Sequence, residues 1–315
     1  MSALSFSPLF LNLHKSPARP FGPIPYNLCV ALLHVVILAI IQGLAELLPV
    51  SSSAHVIIAE KLLGLDPSSP AMTLLLVMLH TGTMFAVIVY FWRDWRSAYF
   101  QSVSAFKRFV VQVIVATGLT GVIGLALMKL IEKTIFAGAP KAQIEDLFSH
   151  LEIIAPALAA AGILILIAGI VEHRSSLASG HEVNTARAAT IGAVQGLCLP
   201  FRGFSRSGAT ISAGMLAGVA KARAEAFSFA LAVVLTPPVV AREVWRLVRA
   251  ERITGTAELA SATFPSLLGA VFAFLAGLVA LKWLSNWLLA GRWYYFGFYC
   301  LIAALAVFYL HHLGF

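Results

Sequence analysis

The sequence predicts an all-α polytopic membrane protein with about six transmembrane helices and two re-entrant helix hairpins arranged as an inverted repeat. The first observation is composition, because 60% of the 315 residues are hydrophobic and only 11% are charged, giving a mean hydropathy of +0.89. The second is that several apolar runs reach the ~20 residues that a helix needs to cross a bilayer. The third is an internal repeat, described below. The alternating pattern of a lipid-facing β-barrel is absent from the sequence.

The chain is expected to form one domain after a short tail. Residues 1–28 are rich in proline and weakly polar, so we expect a flexible tail there, and residues 29–315 are expected to form a single transmembrane domain. The apolar run at 29–41 has the length of a signal-peptide core. No small-residue cleavage site follows it, so we expect it to be retained.

Six apolar stretches have the length of a membrane span. In chain order they cover residues 71–92, 109–131, 150–171, 224–244, 264–285 and 293–311. The aromatic residues at 90–92 and 292–299 suit the two membrane–water interfaces, where amphipathic rings are enriched.

Two further apolar stretches, 31–64 and 190–220, are interrupted by Pro, Ser and Gly and share a repeated sequence. "QGLAELLPVSSSAH" in the first matches "QGLCLPFRGFSRSGA" in the second. Each copy is followed by a span and then by a loop with four basic residues. A duplicated half with a broken helix at the same place predicts a binding site between the halves.

The predicted halves are residues 29–131 and 189–288, and their relative orientation depends on whether the interrupted stretches cross the membrane. The positive-inside rule does not decide this, because both loops carry the same number of basic residues. Irregular, hydroxyl-rich backbone is tolerated at membrane depth only inside protein or along a cavity. That constraint favours re-entrant hairpins that meet near the middle, and hence inverted repeats.

The charge and the cysteines exclude two other classes of function. A net charge of +8 would suggest nucleic acid for a soluble chain, but basic loops beside anionic lipid headgroups explain it here. The three cysteines lie scattered in apolar runs without metal spacing, so we expect them to be packing residues. Nothing in the sequence indicates nucleic-acid binding or a redox cofactor.

The interruptions in the two repeats predict an anion site. Pro49 ends one half-helix and the serines that follow it can cap the next, while Ser205 or Ser207 can cap the helix after the second interruption. Each interruption then presents a helix N-terminus with free N–H groups and a positive dipole end. Arg206 adds a permanent charge suited to phosphate oxygens, and Thr210 lies one turn beyond it. Two such sites indicate two linked phosphates.

The first repeat adds residues for proton chemistry. Gln42 and Glu46 share one helical face, and Glu46, Ser52 and His55 could supply a base or metal ligand, a nucleophile and an acid/base partner. Each residue has a structural alternative. Glu46 could be a packing contact to another helix, the serines could only cap the helix, and His55 could be a structural histidine whose hydrogen bonds are satisfied. His80, in the middle of a predicted span, is a weaker candidate.

At these residues the chain resembles the undecaprenyl-diphosphate phosphatase family, also called the bacitracin-resistance protein family. The resemblance rests on "QGLAELLPVSSSAH" together with "GFSRSGATISAGMLAGV", and it extends to "AVIVYFWRDW" and "EAFSFALAVV". It implies a multi-pass hydrolase of the bacterial inner membrane, with inverted repeats, two re-entrant hairpins and a site that faces the periplasm. The implied reaction converts undecaprenyl diphosphate to undecaprenyl phosphate and phosphate, which recycles the lipid carrier for peptidoglycan synthesis and confers bacitracin resistance.

The family's motifs fall on particular residues of this chain. Its acidic motif falls on Gln42 and Glu46, its serine–histidine stretch on Ser52 and His55, and its Pro-Gly-x-Ser-Arg-Ser motif on residues 202–207. The resemblance and the residue chemistry together give the expected site, with Glu46, Ser52, His55 and Arg206 as catalytic residues, Gln42, Ser53, Gly203, Ser205, Ser207 and Thr210 as substrate-binding residues, and Glu46 as a metal ligand.

The resemblance also implies a divalent cation, Mg²⁺ or Ca²⁺, and the lipid substrate and the bilayer as partners, with a homodimer as an option. Two residues depart from the family pattern. Gln42 leaves a single carboxylate in the acidic motif, which weakens the case for a metal site built on two carboxylates. Arg202 replaces the usual proline and adds a second cation.

Two other functions fit parts of the pattern. A polyprenyl-phosphate lipid transporter or flippase fits because inverted repeats with broken helices are a transporter architecture. A phosphatidic-acid-type phosphatase shares the substrate class, but the histidine–aspartate pair that it needs does not follow "GFSRSG". The spacing leaves both Ser52 and His55 open as the nucleophile.

Overall fold

We analysed a computed structural model of the chain, which describes residues 26–67, 69–135, 151–174, 180–201, 203–254 and 258–312. Most of the predicted tail at 1–28, and Arg202 in the second interruption, lie outside the described residues.

The described residues form ten α-helices and one isolated β-bridge, between His181 and Val219. In chain order the helices are α1 (Tyr26–Leu47), α2 (Ser52–Leu62), α3 (Pro70–Tyr99), α4 (Val103–Ile135), α5 (Leu151–Arg174), α6 (Thr185–Cys198), α7 (Arg206–Leu216), α8 (Lys221–Thr254), α9 (Glu258–Leu289) and α10 (Tyr294–His312).

The prediction of an all-helical, multi-pass membrane protein is confirmed, but the number of possible spans differs from the expected six. Among the described residues, seven helices are long and apolar enough to cross a bilayer. Six correspond to the predicted stretches, and the seventh is Val30–Leu47 in α1, which the sequence analysis assigned to an interrupted stretch. The helices α2 and α7 have 11 residues each and α6 has 14, so they are too short to span.

The two sets of four helices have the same order along the chain. A pair of helices around a break (α1 and α2, then α6 and α7) is followed by two long helices (α3 and α4, then α8 and α9). The first helix of each set packs on the last helix of the other, so α1 contacts α9 and α6 contacts α4. These two contacts correspond to each other in the repeat, whereas the extensive packing of α3 on α9 has only a small counterpart between α8 and α4.

The α1–α9 contact is close because its residues are small. A Cβ atom built on Gly43 would lie 2.7 Å from the carbonyl oxygen of Ala273 and 2.7 Å from the Cβ atom of Ala276. Interfaces between membrane helices use such small residues to let backbones approach. This close contact joins the two halves, and α3 adds to it by packing on both α8 and α9.

The outer surface is apolar, as a lipid-facing surface must be. Large apolar side chains such as Val122, Ile302 and Leu305 are each about two-thirds exposed, at 67%, 68% and 70%. Large exposed apolar surfaces are typical of contacts with a membrane or with another protein. Here the exposed apolar side chains lie on helices that have the length of membrane spans.

Polar contacts fix the short helix α7 inside this apolar bundle. The Trp293 Nε1–H group donates to Ser212 Oγ at 3.0 Å, and the Thr210 hydroxyl pairs with the Ser228 hydroxyl on α8. Ser212 and Thr210 are fully buried. A buried hydrogen bond stabilises one arrangement because the alternatives leave a polar group unpaired. Arg206, the first residue of α7, is therefore held in a fixed place.

Candidate active site

The two interruptions meet in the interior of the protein. We call residues 48–53 the first tip and residues 199–207 the second tip. The Ser207 hydroxyl of the second tip donates to the Leu48 carbonyl oxygen of the first at 3.3 Å. A Cβ atom built on Gly208, just after the second tip, would lie 3.1 Å from the Cβ atom of Pro49. Residues that are far apart in sequence thus form one polar cluster.

The first tip contains a strained residue. Ser51 has φ 67° and is the one residue other than glycine with a positive φ among the described residues. A residue with a Cβ atom adopts this region at a cost, so the surrounding structure must hold it there. Ser51 takes the N-cap position of α2, as the serine run predicted, but its hydroxyl contacts Ser53 Oγ at 3.3 Å and makes no side-chain capping bond.

Ser205, one of the two serines predicted to cap the helix after the second tip, caps α7. Ser205 precedes α7, and its Oγ accepts a hydrogen bond from the Gly208 N–H group at 3.3 Å. Gly203 has φ +102°, and a Cβ atom built on it would lie 2.5 Å from the Ile154 carbonyl oxygen on α5. Both the backbone angle and the space therefore require glycine at this position.

We expect Gly203→Ala to lower stability because the new methyl group meets backbone that cannot move aside. A clash of this kind, together with an unfavourable φ, costs about 1–3 kcal/mol, which should lower the thermal unfolding midpoint in detergent. Gly118→Ala is the matched control, because nothing lies within 4 Å of its built Cβ atom on the exposed face of α4. Equal unfolding midpoints for the two variants would contradict this account.

Glu46, the second-last residue of α1, is the centre of the polar cluster. Its Oε1 accepts from Arg206 Nη2 at 3.0 Å and its Oε2 accepts from the Ser52 hydroxyl at 2.6 Å. Gln42 Nε2 donates to Oε2 at 3.3 Å from one turn earlier on α1. The structure thus joins one expected residue from each tip, Ser52 and Arg206, through this single carboxylate.

His80 lies closer to this cluster than its place in the sequence analysis suggested. Its Nδ1 atom lies 2.8 Å from the Leu76 carbonyl oxygen, and its Nε2 atom lies 3.8 Å from Glu46 Oε2. A ring nitrogen that bonds a carbonyl must carry the proton. In the neutral ring, Nε2 is then the basic nitrogen and faces the carboxylate, which is the arrangement of an acid/base residue.

The His55 ring bonds groups other than the Ser52 hydroxyl, which is bonded to Glu46. Its Nδ1 atom lies 2.8 Å from the Ser51 carbonyl oxygen, and its Nε2 atom lies 2.6 Å from the hydroxyl of Tyr299 on α10. The two rings are stacked, with centroids 5.7 Å apart and planes 14° apart. Tyr299 was expected only in the interfacial aromatic belt, because nothing in the sequence indicates its contact with His55.

Two of the expected substrate-binding residues lie behind the cluster rather than in it. Thr210 is fully buried, and its hydroxyl lies 2.7 Å from the Arg206 carbonyl oxygen, which it bonds within α7. Gln42 is also buried and contacts Glu46 as described above. In the structure these side chains support Arg206 and Glu46.

A cavity of about 730 Å³ opens onto the cluster. Both tips, α1 and α3 contribute polar residues to its wall, with Glu46, Ser51, Ser52, Ser53, His80, Gly203, Ser205, Arg206 and Ser207. Apolar residues of α2, α3 and α8 also line it, with Ile57, Leu76, Val77, Leu235, Val239 and Val240, and α2 and α8 add the charged residues Glu60, Lys61 and Glu243. Its volume is within the usual range for a small-molecule site, and its mixed polar and apolar lining suits an amphipathic ligand.

Gln195, which lies in the repeated sequence of the second half, also lines the cavity. It was not among the expected site residues. It is buried, and its Nε2 group donates to Thr120 Oγ1 on α4 at 3.1 Å. Its Oε1 atom is buried and has no hydrogen-bond partner among the described residues. It corresponds to Gln42 in the first repeat, but the second repeat has Leu199 rather than a glutamate one turn later.

The described residues do not fit a metal ion held by the protein alone. No group of three or more His, Cys, Asp and Glu side chains is placed to hold an ion in the described part of the chain. Glu46, the expected ligand, already has Arg206 on one oxygen and Ser52 on the other. An arginine at that distance occupies the position that a cation would take, so we derive the chemistry below from the side chains alone.

Comparison with known proteins gives a consistent picture. Residues 35–306 match the family described as "Bacitracin resistance protein BacA". The chain is 59% identical over 273 residues to "Undecaprenyl-diphosphatase 2" of Acinetobacter baylyi, covering 86% of this chain and 94% of that protein. It is 36% identical over 283 residues to "Undecaprenyl-diphosphatase" of Desulfosudis oleivorans, covering 85% and 94%.

A third relative, "Undecaprenyl-diphosphatase 1" of Shouchella clausii, is 32% identical over 289 residues, covering 88% of this chain and 96% of that protein. The similarity to all three relatives spans nearly their full lengths, and the family match includes both tips. The chain therefore belongs to the bacitracin resistance protein BacA family.

Proposed function

We propose that this chain hydrolyses undecaprenyl diphosphate to undecaprenyl phosphate and inorganic phosphate, and so recycles the lipid carrier for cell-wall synthesis. The observation that carries the proposal is the Ser52–Glu46–Arg206 cluster in the wall of an amphipathic cavity. A hydroxyl bonded to a carboxylate beside a guanidinium group supplies a nucleophile, a base and a phosphate ligand. The printed names of the relatives indicate the same substrate.

The cavity offers suitable places for both parts of the lipid. Arg206 and the N-terminal ends of α2 and α7 suit the phosphates, because a guanidinium group and free helical N–H groups both bind phosphate oxygens. The hydroxyls of Ser53, Ser205 and Ser207 line the same wall. The apolar residues of α3 and α8 in the cavity lining suit the start of the isoprenoid chain.

The chemical step follows from the contacts of Ser52. Its oxygen attacks the terminal phosphorus while its proton passes to Glu46 Oε2, which lies 2.6 Å away. The bond from that phosphorus to the bridging oxygen breaks, and undecaprenyl phosphate leaves. Water then hydrolyses the phosphoserine and releases phosphate. Arg206 stabilises the charge on the transferred group, which is the main task of a protein in phosphoryl transfer.

Arg206 also links substrate binding to the contacts of Glu46. In the structure the guanidinium group pairs with Oε1 of the carboxylate. A bound diphosphate competes for the same guanidinium group. Binding of the substrate therefore draws Arg206 toward the phosphate oxygens while the Ser52 hydroxyl keeps its bond to Oε2.

We expect His80→Gln to slow turnover about 100-fold or more, because a positioned acid/base group contributes about 10²- to 10⁴-fold. Glutamine keeps the size and polarity of the side chain but does not titrate. The measurement is the rate of phosphate release at saturating substrate by purified protein. His34→Gln is the control, since His34 lies on α1 outside the cavity wall. A His80→Gln rate within twofold of the control would show that His80 takes no part in proton transfer.

The test of the proposed function is phosphate release from a C55 isoprenoid diphosphate by detergent-purified protein. We expect multiple turnovers, and the absence of turnover by well-folded protein would contradict the proposal. The dependence on Mg²⁺ or Ca²⁺ stays a prediction from the family resemblance. Adding a chelator to the same assay measures that dependence.

The arrangement in the membrane is part of the proposal. We propose that α1–α2 and α6–α7 are re-entrant hairpins in a bacterial inner membrane, with the cavity open to the periplasm. The contact between the tips supports this, since two re-entrant hairpins place their turns at the same depth. Labelling of a cysteine at Lys61, on the cavity wall, by a membrane-impermeant reagent from the periplasmic side measures the orientation. A homodimer stays a prediction, measured by crosslinking in membranes.

A lipid transporter remains the second candidate because of one observation. The packing of α1 on α9 and of α6 on α4 would fit an inverted repeat, which is an arrangement that transporters use for alternating access. The Ser52–Glu46 bond favours chemistry, because a binding site needs no base on its hydroxyl. A protein that moves the lipid across vesicle membranes but releases no phosphate would favour transport.

A further inference from the structure

We propose that Tyr299 is a positioning residue that acts through His55 to hold Ser51 in its strained conformation and so direct Ser52 toward Glu46. This inference rests on the proposed function, and it concerns a residue on α10 that lies outside both tips. It assigns His55 to the same structural relay rather than to the proton transfer.

The relay is a continuous chain of hydrogen bonds. The Tyr299 hydroxyl lies 2.6 Å from His55 Nε2, and His55 Nδ1 lies 2.8 Å from the Ser51 carbonyl oxygen. The carbonyl oxygen can only accept, so Nδ1 carries the proton and donates it. In the neutral ring Nε2 must then accept from the tyrosine hydroxyl. Both ring nitrogens are thus engaged, and neither contacts Ser52.

The position of His55 agrees with a supporting role. Ser51, Ser52 and Ser53 all line the cavity, but His55 does not. Its ring faces α10 instead and stacks on the Tyr299 ring. A histidine that took the Ser52 proton directly would need a free nitrogen within hydrogen-bond distance of that hydroxyl.

The residue at the end of the relay explains why such support is needed. Ser51 is the one non-glycine residue with positive φ among those described, and it immediately precedes the expected nucleophile. Strained backbone persists only where its surroundings hold it. The His55 bond to the Ser51 carbonyl fixes the peptide that joins Ser51 to Ser52, and this peptide sets the direction of the Ser52 side chain.

The test uses two substitutions at His55 that separate its two nitrogens. Asparagine places an N–H donor where Nδ1 was, so His55→Asn keeps the bond to Ser51 and removes the titrating ring. Glutamine places its polar atoms near the position of Nε2, so His55→Gln keeps the reach toward Tyr299 and loses the donor to Ser51. We expect His55→Asn to retain at least about a tenth of the wild-type kcat and His55→Gln to fall about a hundredfold.

A second pair of variants tests the strain itself. Tyr299→Phe should lower kcat about tenfold with KM changed by less than about twofold, since the loss concerns the direction of Ser52 and not phosphate binding. Tyr309→Phe, at an exposed position on the same helix, is the matched control. Glycine adopts positive φ without strain, so adding Ser51→Gly to Tyr299→Phe should restore most of the lost kcat.

The outcomes separate this inference from the proposed function. Wild-type protein that releases no phosphate contradicts the proposed function, whatever the variants do. Active wild-type protein with a Tyr299→Phe kcat equal to that of Tyr309→Phe overturns the relay. Equal losses of a thousandfold or more for His55→Asn and His55→Gln would place His55 at the reacting atoms and also overturn it. Failure of Ser51→Gly to restore Tyr299→Phe would show that Tyr299 acts elsewhere.

Discussion

Arg206→Ala should abolish phosphate release while the protein still inserts and folds. The guanidinium group lies at the N-terminus of α7 and bonds Glu46 at 3.0 Å, so its loss removes the phosphate ligand and leaves the carboxylate without its cation. Loss of one partner from a buried charge-assisted contact costs about 2–5 kcal/mol or more. That range corresponds to a rate loss of at least about thirtyfold, and of several thousandfold at its upper end.

The comparison with Arg206→Lys distinguishes charge from geometry. Lysine keeps the charge but cannot bond a carboxylate and a phosphate in one plane, so we expect it to restore little activity. Arg223→Ala is the control, because Arg223 forms its ion pair with Glu182 at the start of α8 and outside the cavity wall. Size-exclusion chromatography of each variant checks the fold. A near-normal rate for well-folded Arg206→Ala would refute the assigned role.

Ser52→Ala should lower the rate by several orders of magnitude, because it removes the atom that attacks phosphorus. Acid quenching of wild-type turnover should trap a phospho-enzyme that survives acid, as phosphoserine does. Phosphohistidine would instead be labile in acid and stable in alkali. The measurement is therefore the rate of the variant together with the stability of the trapped species.

The control for this substitution is Ser97→Ala. The Ser97 hydroxyl bonds the Asp94 carbonyl oxygen near the end of α3, outside the cavity wall, so its loss should leave the rate unchanged. Turnover by Ser52→Ala at about a tenth of the wild-type rate or faster would exclude serine as a covalent nucleophile. Attack by water, with Glu46 as the base, would then be the remaining route through this cluster.

The sequence was sufficient for the helical class because membrane insertion depends on composition and length, which are local properties. Six helices lie where the apolar stretches predicted them. The seventh differs because α1 runs from Tyr26 to Leu47 without interruption. Pro49 falls after the helix has already reached spanning length, so proline marks its end and not its middle.

Some residues of the candidate site could be predicted from their local sequence, whereas contacts between distant residues could not. Glu46 and Arg206 are unusual in an apolar chain and could be chosen from the sequence alone, since ionisable groups at membrane depth are costly. The contact between His55 and Tyr299 joins residues 244 positions apart, and no local pattern predicts it. Helical spacing placed His55 on the same helix as Ser52, but its ring bonds Tyr299 and the Ser51 carbonyl oxygen and not the Ser52 hydroxyl.

The packing of α1 against α9 constrains the order in which the protein can assemble during synthesis. The ribosome completes α1 among the first elements and α9 among the last, yet the Gly43 backbone fits closely against Ala273. Glu46 lacks Arg206 until α7 has been made, and α1 lacks its packing partner until α9 emerges, so the newly inserted first half stays incompletely packed. A nascent chain arrested before α9 should therefore be recognised by membrane quality control and degraded faster than the full-length protein.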